Sequence, residues 1–178
     1  MRIVGGIYRS RRFSPPKFFK ARPTTDYAKE SLFNLIDNKI NLEDKKALDL
    51  FSGTGSISYE LMSRGCNYVM AVDISSKYLS FVEKTAKLLN PDEKILRTYK
   101  ANVFTLLKKL DLDYDIIFAD PPYDDEKIET LPDLIFGNET LKKESIIIIE
   151  HSSKNDFSQH PHFQDKRAYG KVNFSFFL

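Results

Sequence analysis

The sequence has little of the residue types that build metal centres and disulfides. It contains one cysteine, Cys66, and three histidines among 178 residues, and it has no tryptophan. A single cysteine excludes an internal disulfide, and no cysteine–histidine cluster has the spacing of a zinc site. We therefore expect a protein without a metal, in a reducing cytoplasm.

Long apolar runs are also missing. A helix needs about 18 apolar residues to cross a bilayer, and no run in this sequence approaches that length. The stretch Met1–Gly6 has no apolar signal region. With 42% hydrophobic and 29% charged residues, the composition is that of a globular chain. Without a coiled-coil pattern or a large apolar patch, we expect a cytoplasmic monomer.

The charge is distributed unevenly, although the net charge is only +2. Residues 1–25 carry seven basic side chains and no acid, whereas the remainder carries twenty basic and twenty-five acidic side chains. We predict a basic N-terminal arm over 1–25 that is attracted to a polyanion, with nucleic acid as the first candidate, and a domain over 26–178. A solubilising tail without a partner is the alternative.

Strand-like and helix-like patterns alternate along the rest of the chain. The predicted strands span 46–50, 67–72, 95–99, 114–119 and 145–150, with two more around the turn at Tyr169-Gly170, and the predicted helices span 26–39, 56–64, 76–89, 103–110 and 127–136. Thr24 or Thr25 can cap the first helix, and Ile3–Tyr8 can form a short strand or hairpin. Such alternation predicts a largely parallel sheet that binds ligands at the carboxyl ends of its strands.

The most informative motif is Asp120-Pro121-Pro122-Tyr123, directly after the apolar run 114–119. The prolines stiffen the loop and remove two backbone donors, which leaves the carboxylate and the carbonyls as acceptors. These acceptors suit the N–H donors of an exocyclic amine, and the tyrosine offers a face for a planar ring. A proline turn that ends the strand is the alternative.

A glycine-containing loop lies upstream, in Leu48–Ile57. Ser58 stands where a dinucleotide fingerprint needs its third glycine, and the lysine of a P-loop is absent. Asp49 would repel a pyrophosphate, whereas Asp73, at the end of the next strand, suits two ribose hydroxyls. S-adenosylmethionine carries an amino cation, a sulfonium and a ribose, and therefore fits the loop. A strand–helix turn without a ligand is the alternative.

These motifs resemble those of a known family. The pattern D-x-F-x-G-x-G with a later D-P-P-Y resembles the Rossmann-like amino methyltransferases that use S-adenosylmethionine. The segments Arg2–Gly6, Arg9–Arg12, Arg22–Asp26 and Glu30–Asn34 are similar to the N-terminal signature of bacterial 16S ribosomal RNA guanine-N2 methyltransferases of the RsmD type, and Lys166–Gly170 is similar to their C-terminal hairpin.

The resemblance implies an α/β Rossmann-like methyltransferase fold, whose seven-stranded, mostly parallel sheet has an antiparallel last strand and helices on both faces. Asp49 and the loop backbone would hold the methionyl end of the cofactor, and Asp73 the ribose. Asn102 stands where an acid normally meets the adenine amine. The predicted cofactor residues are Asp49, Phe51, Ser52, Gly53, Thr54, Gly55, Asp73, Ile74, Asn102 and Val103. Glu150 matches a family acid or is a strand-end cap.

The function predicted on this basis is transfer of a methyl group from S-adenosylmethionine to the N2 amine of a guanine in 16S ribosomal RNA or in a small-subunit assembly intermediate. Asp120, Pro121, Pro122 and Tyr123 form the predicted catalytic group, and Arg9, Arg11, Arg12 and Arg22 the predicted RNA contacts. Arg22 can equally pin the arm to the body by an ion pair. The alternatives are methylation of DNA adenine N6 or of a protein glutamine amide, and a non-catalytic RNA-binding module.

Overall fold

The computed structural model describes residues 1–17, 19, 25–91 and 95–178, and these fold around one sheet. The helices are α1 (Asp26–Asp37), α2 (Ser56–Ser63), α3 (Ser76–Leu89), α4 (Val103–Leu106) and α5 (Leu131–Phe136), and a 3-10 helix spans Glu126–Thr130. The strands are β1 (Lys46–Leu50), β2 (Tyr68–Asp73), β3 (Leu96–Lys100), β4 (Ile116–Ala119), β5 (Ile146–His151), β6 (Phe163–Tyr169) and β7 (Val172–Phe177).

The sheet has the order β3-β2-β1-β4-β5-β7-β6. Strands β1 to β5 are parallel, and β7 runs antiparallel to both β5 and β6. The predicted seven-stranded Rossmann-like fold is confirmed, with its antiparallel last strand. Because β1 and β4 lie side by side in the centre of the sheet, the loops that follow them start close together.

Helices cover both faces of the sheet, and β5 shows how. Ile146 and Ile148 pack in the core cluster that contains residues of α1, α2 and α3, whereas Ile147 and Ile149 pack in the cluster that contains residues of α4 and α5. Successive side chains of a strand point to opposite faces, so an unbroken isoleucine run marks a strand that is buried on both sides. No helix of the described residues is long and apolar enough to span a membrane.

Most predicted elements are present, with two differences in the helices. The helix predicted over 103–110 ends as an α-helix at Leu106. The helix predicted over 127–136 is divided into the 3-10 helix and α5, which begins at Leu131. Pro132 explains the division, since a residue without an N–H is tolerated in the first turn of a helix and not in its interior. Thr25 caps α1 by accepting from Ala28 N, and Thr24 lies outside the described residues.

The N-terminal residues pack against the body of the protein. A short strand or hairpin was predicted over Ile3–Tyr8. The structure has no regular strand there, but the chain reverses, and one antiparallel bridge joins Arg2 to Arg12. Ile3 and Val4 are buried. The reversal lies at the C-terminal end of α2, where Ile7 N donates to Ser63 O at 2.8 Å. The boundary of the arm at residue 25 and its contact with RNA stay predictions.

A buried ion pair holds this N-terminal segment in place. Lys29 of α1 and Glu60 of α2 are 1% and 0% exposed, and their charged groups are 3.1 Å apart. The Glu60 carboxylate also accepts from Val4 N and Gly5 N, while Lys29 Nζ donates to Arg2 O and Ser56 Oγ. Two buried charges are tolerated only when hydrogen bonds satisfy both. Here the backbone of the N-terminal segment provides some of these hydrogen bonds.

We expect Lys29→Met to lower the free energy of unfolding by about 3 kcal/mol, because it removes the nearer counter-charge of a buried carboxylate and leaves it with Arg64 Nε at 3.6 Å. Urea unfolding monitored by circular dichroism measures the change. Lys142→Met is the matched control, since its pair with Asp115 is partly exposed and such pairs contribute about 1 kcal/mol or less. Equal stability of the two variants would contradict the assigned role of Lys29.

Candidate functional site

A cavity of about 1410 Å³ lies over the carboxyl ends of the central strands. It brings together most of the residues predicted as sites, namely Asp49, Phe51, Ser52, Gly53, Thr54, Asp73, Ile74, Asn102, Val103, Asp120, Pro121, Pro122 and Tyr123. Gly55 does not line the cavity and instead packs closely against Tyr59 and Val82. The glycine loop and the proline motif therefore belong to one site.

The register of the strands determines which side chains enter this cavity. Asp49 pairs with Ala71 on β2 and with Phe118 on β4, and Phe118 pairs with Ile148 on β5. Side chains two residues apart on a strand share a face. Asp73, Asp120 and Glu150 each follow one of these paired residues by two positions and, with Asp49, all line the cavity. Four acids thus surround one space at the strand ends.

The loop after β1 has an unusual backbone. Phe51, Gly53 and Gly55 have φ angles of 60°, 51° and 76°, in the left-handed region that strains a side-chain-bearing residue such as Phe51. Its hydrogen bonds fix this shape, with Ser52 N donating to Val72 O at 2.9 Å and Gly55 N to Ser52 O at 2.7 Å. A Cβ at Gly53 would meet only the Phe51 carbonyl, at 3.9 Å, so a ligand can approach the backbone there.

Asp49 caps the helix that follows this loop. One of its oxygens, Oδ2, accepts from both Ser58 N, at 3.0 Å, and Ser58 Oγ. Burial raises the pKa of Asp49 to about 7, and the charge of Asp73 adds to the shift, although the bonds from Ser58 oppose it. An acid with such a pKa gains from a cation beside it, because the cation favours the ionised form.

Asp73 connects the second strand to both neighbouring loops. Its carboxylate accepts from Gly53 N at 3.0 Å and from Ser75 N at 2.8 Å. The side chain is therefore fixed at the cavity wall, and each oxygen retains a lone pair for a hydroxyl donor.

Asn102, which was predicted to meet the adenine amine, caps α4. Its Oδ1 accepts from Thr105 N at 3.1 Å. An adenine amine would have to share this oxygen with the helix cap, so the contact predicted for Asn102 competes with a structural role and stays a prediction.

The proline motif is tied to β5 by one side-chain hydrogen bond. Tyr123 OH donates to Glu150 Oε1 at 2.8 Å. Burial raises the pKa of Asp120 well above its ordinary value, and the charges of Glu150 and Asp49 add to the effect. Pro122 O accepts from Asp125 N, whereas no hydrogen bond to Pro121 O is found among residues 1–17, 19, 25–91 and 95–178. Asp120 and the Pro121 carbonyl are the acceptors that remain for a ligand.

The basic residues of the arm that the structure describes do not line the cavity. A backbone β-bridge joins Arg12 to Arg2. The guanidinium of Arg2 donates to Asp26 Oδ2 at 3.0 Å, beside the cavity wall. Arg9 and Arg11 are exposed on the reversal, and Arg9 lies toward the C-terminal end of α2, away from the glycine loop. Arg22 lies outside the described residues. Contact of these arginines with RNA stays a prediction.

Sequence reasoning missed part of the cavity wall. Thr25 and Tyr27 line it from the start of α1, and Tyr169, Gly170 and Lys171 line it from the β6–β7 turn. The turn was visible in the sequence, but no pattern indicates that it lies beside β5, since that placement depends on β7 inserting between β5 and β6. Glu150 was marked by its strand-end position and by its match to a family acid, but neither signal indicated its bond to Tyr123.

Comparisons with known proteins identify the family. A family profile described as Conserved hypothetical protein 95 matches residues 1–178. Ribosomal RNA small subunit methyltransferase D of Buchnera aphidicola is 32% identical over 153 residues, which covers 86% of this chain and 76% of that protein. The chain belongs to this methyltransferase D family. The family predicted from the sequence is confirmed.

Solved structures agree with the family assignment. "Putative methyltransferase yhhF from Escherichia coli" superposes with a TM-score of 0.85 at 25% identity, over 99% of this chain and 96% of that chain. A more distant fold relative, SMU.776 complexed with S-adenosylhomocysteine, has a TM-score of 0.65 at 19% identity over 84% of this chain and 49% of that chain.

The cavity of this methyltransferase D family member fits the predicted cofactor, S-adenosylmethionine. Asp49 suits the amino cation, and Asp73 suits the ribose hydroxyls. Ser52 Oγ is buried at the cavity and has no hydrogen-bond partner among the described residues. A buried hydroxyl without a partner is costly, and a carboxylate beside it would remove that cost. The acceptors Asp49 and Asp73 and the donor Ser52 therefore match the amino group, the ribose and the carboxylate of S-adenosylmethionine, respectively.

We expect Gly55→Ala to destabilise the protein more than Gly170→Ala. Both glycines have positive φ, but a Cβ at Gly55 would lie 2.8 Å from the Tyr59 ring, whereas nothing lies within 4 Å at Gly170. Backbone strain costs about 1–2 kcal/mol at either position, and overpacking adds about 1–3 kcal/mol at Gly55. Urea unfolding compares the two variants, and equal losses would exclude a packing role for Gly55.

We expect affinity for S-adenosylhomocysteine to rise with pH between 6 and 8. Asp49, with its pKa raised to about 7, is neutral below that pH and attracts the ligand's amino cation only above it. Well below the pKa, affinity should fall about tenfold per pH unit. Calorimetry across this range measures the effect. Asp49→Asn should bind weakly with a flat profile, while Asp120→Asn should keep the slope; a flat wild-type profile would contradict the role of Asp49.

Proposed function

We propose that this chain transfers a methyl group from S-adenosylmethionine to the exocyclic N2 of a guanine in small-subunit ribosomal RNA. Family membership supports the reaction class, because the relatives are named ribosomal RNA small subunit methyltransferase D. The fold relative complexed with S-adenosylhomocysteine supports the cofactor. The choice of guanine N2 rests on the resemblance of the arm and of the proline motif.

One observation carries the proposal, namely that the two motifs share a cavity. Asp49 and the glycine loop line it on one side, and Asp120 to Tyr123 line it on the other. Asp120 N donates to Leu50 O at 3.2 Å, so the backbone after β4 is hydrogen-bonded to the end of β1. A group transfer needs its two reactants held side by side, and this arrangement provides it.

The chemistry requires little from the protein beyond positioning and charge. S-adenosylmethionine supplies a methyl group on a sulfonium, which is a good leaving group. The weak partner is the base amine, whose lone pair is delocalised into the ring. Asp120 and the Pro121 carbonyl accept its two N–H donors and thereby fix the direction of the nitrogen. Orientation of this kind can supply about 7 kcal/mol or more in favourable cases.

Asp120 is also suited to the charge that develops. The nitrogen becomes positive as its new bond to carbon forms, and an ionised carboxylate stabilises it and then takes one of its protons. The raised pKa of Asp120, caused by burial and by Glu150 and Asp49, makes this carboxylate a better proton acceptor than an ordinary aspartate. As the nitrogen–carbon bond forms, the carbon–sulfur bond breaks and its electron pair goes to the sulfur, while the nitrogen loses one proton to Asp120.

Tyr123 holds the plane of the base. Its ring is 41% exposed, which leaves a face for stacking, while its hydroxyl is anchored on Glu150. The target guanine must leave its stack to reach this position, which favours a loop or a flipped nucleotide.

Incubation of the protein with labelled S-adenosylmethionine and separate RNA, DNA and protein pools tests the substrate. We expect label in small-subunit ribosomal RNA, and nucleoside mass spectrometry should identify the product as N2-methylguanosine. Label confined to DNA or protein, or recovered as a methylated adenosine, would end the proposal.

We expect Asp120→Ala to lower the methylation rate at least about 100-fold, the range of a lost general base, while affinity for S-adenosylhomocysteine stays within about twofold. Asp73→Ala should instead abolish cofactor binding. Single-turnover rates and calorimetry separate the two effects. Asp111→Ala is the control, because this exposed acid lies near Lys46 at the opposite end of the strands. Wild-type rates from Asp120→Ala would remove Asp120 from the mechanism.

A further inference from the structure

The cavity wall extends beyond the residues predicted for the cofactor and the target base. The cofactor residues account for the part over β1, β2 and the start of α4, and the proline motif for the part over β4. The remaining wall is formed by the start of α1 and the β6–β7 turn.

The sheet order places this remaining wall on the acceptor side. Asn173 at the start of β7 pairs with His151 at the end of β5, so the turn before β7 stands beyond the carboxyl end of β5. From there the order runs through β4 and β1 to Asp73 on β2. Whatever contacts the turn therefore lies past the target base, on the side away from the ribose of the cofactor.

Two tyrosines meet at this wall. Tyr27 of α1 and Tyr169 of β6 pack edge to face, with ring centroids 6.1 Å apart and planes at 79°. Tyr169 is half-buried and also packs against Phe174, at 6.0 Å. Tyr27 remains 73% exposed. The Tyr169 ring is thus held against the core, and the Tyr27 ring packs against Tyr169 while a face of it stays open to solvent.

We propose that Tyr27 and Tyr169 form a stacking site for the base of the RNA nucleotide adjacent to the target guanine. This inference rests on the proposed function, since it assumes that RNA is the substrate. A flipped guanine carries its neighbours to the mouth of the pocket, where an unstacked base presents an apolar face. Aromatic side chains bind such bases at about 1–3 kcal/mol each, and Tyr27 offers an open ring at that place.

The charges around the pair fit a nucleic-acid strand. Lys171 lines the cavity beside Tyr169, and Lys166 and Arg167 lie on the same hairpin, near Asp156 at 4.0 Å and Asp165 at 2.8 Å respectively. On the other side of Tyr27, Asp26 binds the guanidinium of Arg2. Arg2, Lys166 and Arg167 thus each have an acidic partner, whereas Lys171 has none among the described residues. Lys171 provides a phosphate contact next to a stacking surface, a combination typical of a single-strand site.

The test compares Tyr27→Ala with Tyr27→Phe in the presence of saturating S-adenosylhomocysteine. Binding of a fluorescein-labelled single-stranded RNA oligonucleotide is measured by anisotropy over a series of salt concentrations, and methylation of unmodified small-subunit ribosomal RNA is measured in parallel. Tyr99→Ala is the matched control, because Tyr99 is an exposed tyrosine on β3, at the opposite edge of the sheet and outside the cavity.

We expect Tyr27→Ala to weaken RNA binding about 5- to 100-fold, as the loss of one stacked base predicts, and to leave cofactor affinity unchanged. Tyr27→Phe should keep wild-type affinity, because the ring is retained. The slope of log affinity against log salt should stay the same in both variants, since stacking releases no counterions, whereas loss of a phosphate contact lowers the slope by about 0.7.

The possible negative results distinguish the stacking site from the proposed function. If the wild type methylates RNA and Tyr27→Ala binds as the wild type does, the stacking site is wrong and the proposed function stands. If Tyr27→Phe loses as much affinity as Tyr27→Ala, or the salt slope falls, the contact is polar and stacking is excluded. If the wild type neither binds nor methylates RNA, the proposed function and this inference fall together.

Discussion

The register between β1 and its two neighbours is the constraint on which the rest of the site depends. With Asp49 opposite Ala71 and Phe118, acids two residues further along β2 and after β4 face the same space as Asp49. A slip of one residue would turn each of those side chains to the other face. The buried hydrophobic side chains of β1, β4 and β5 hold the register, because they pack alternately in the two core clusters on opposite faces of the sheet. The packing of the sheet therefore also determines where the acidic side chains of the site lie.

Concentrating acids in one cavity has an electrostatic consequence that matches the proposed ligands. Asp49 and Asp120 have raised pKa values because desolvation disfavours the charged form of each and both have acidic neighbours. Such a site is destabilised by its own negative charge and is relieved by cations. A cofactor with an amino cation and a sulfonium, and an amine that becomes positive during the reaction, both supply that relief. The same cluster disfavours a phosphate, so the proposed RNA substrate would need basic groups away from the four acids, such as Lys171 at the far wall of the cavity.

The sequence allowed the largely parallel sheet, the glycine loop and the proline motif to be predicted, because each has a local signal. Asp49, Asp73 and Asp120 stand at strand ends that hydrophobic runs mark clearly. The role of Glu150 was not predictable to the same degree, since its bond to Tyr123 depends on β4 and β5 being neighbours.

The packing of Tyr27 against Tyr169 joins residues far apart in the chain, and no period or motif connects them. Pro132 shows the converse, because its effect on the helix is local and could have been anticipated. The buried pair of Lys29 and Glu60 looks like two surface charges in the sequence, and its burial follows only from the N-terminal segment closing over it.

A crystal structure of the protein with S-adenosylhomocysteine tests most directly whether donor and acceptor share one cavity. The account predicts the amino group beside Asp49, the ribose on Asp73, and the sulfur facing Asp120 across open space wide enough for a base. A ligand bound elsewhere, or one whose sulfur is separated from Asp120 by packed side chains, would contradict it.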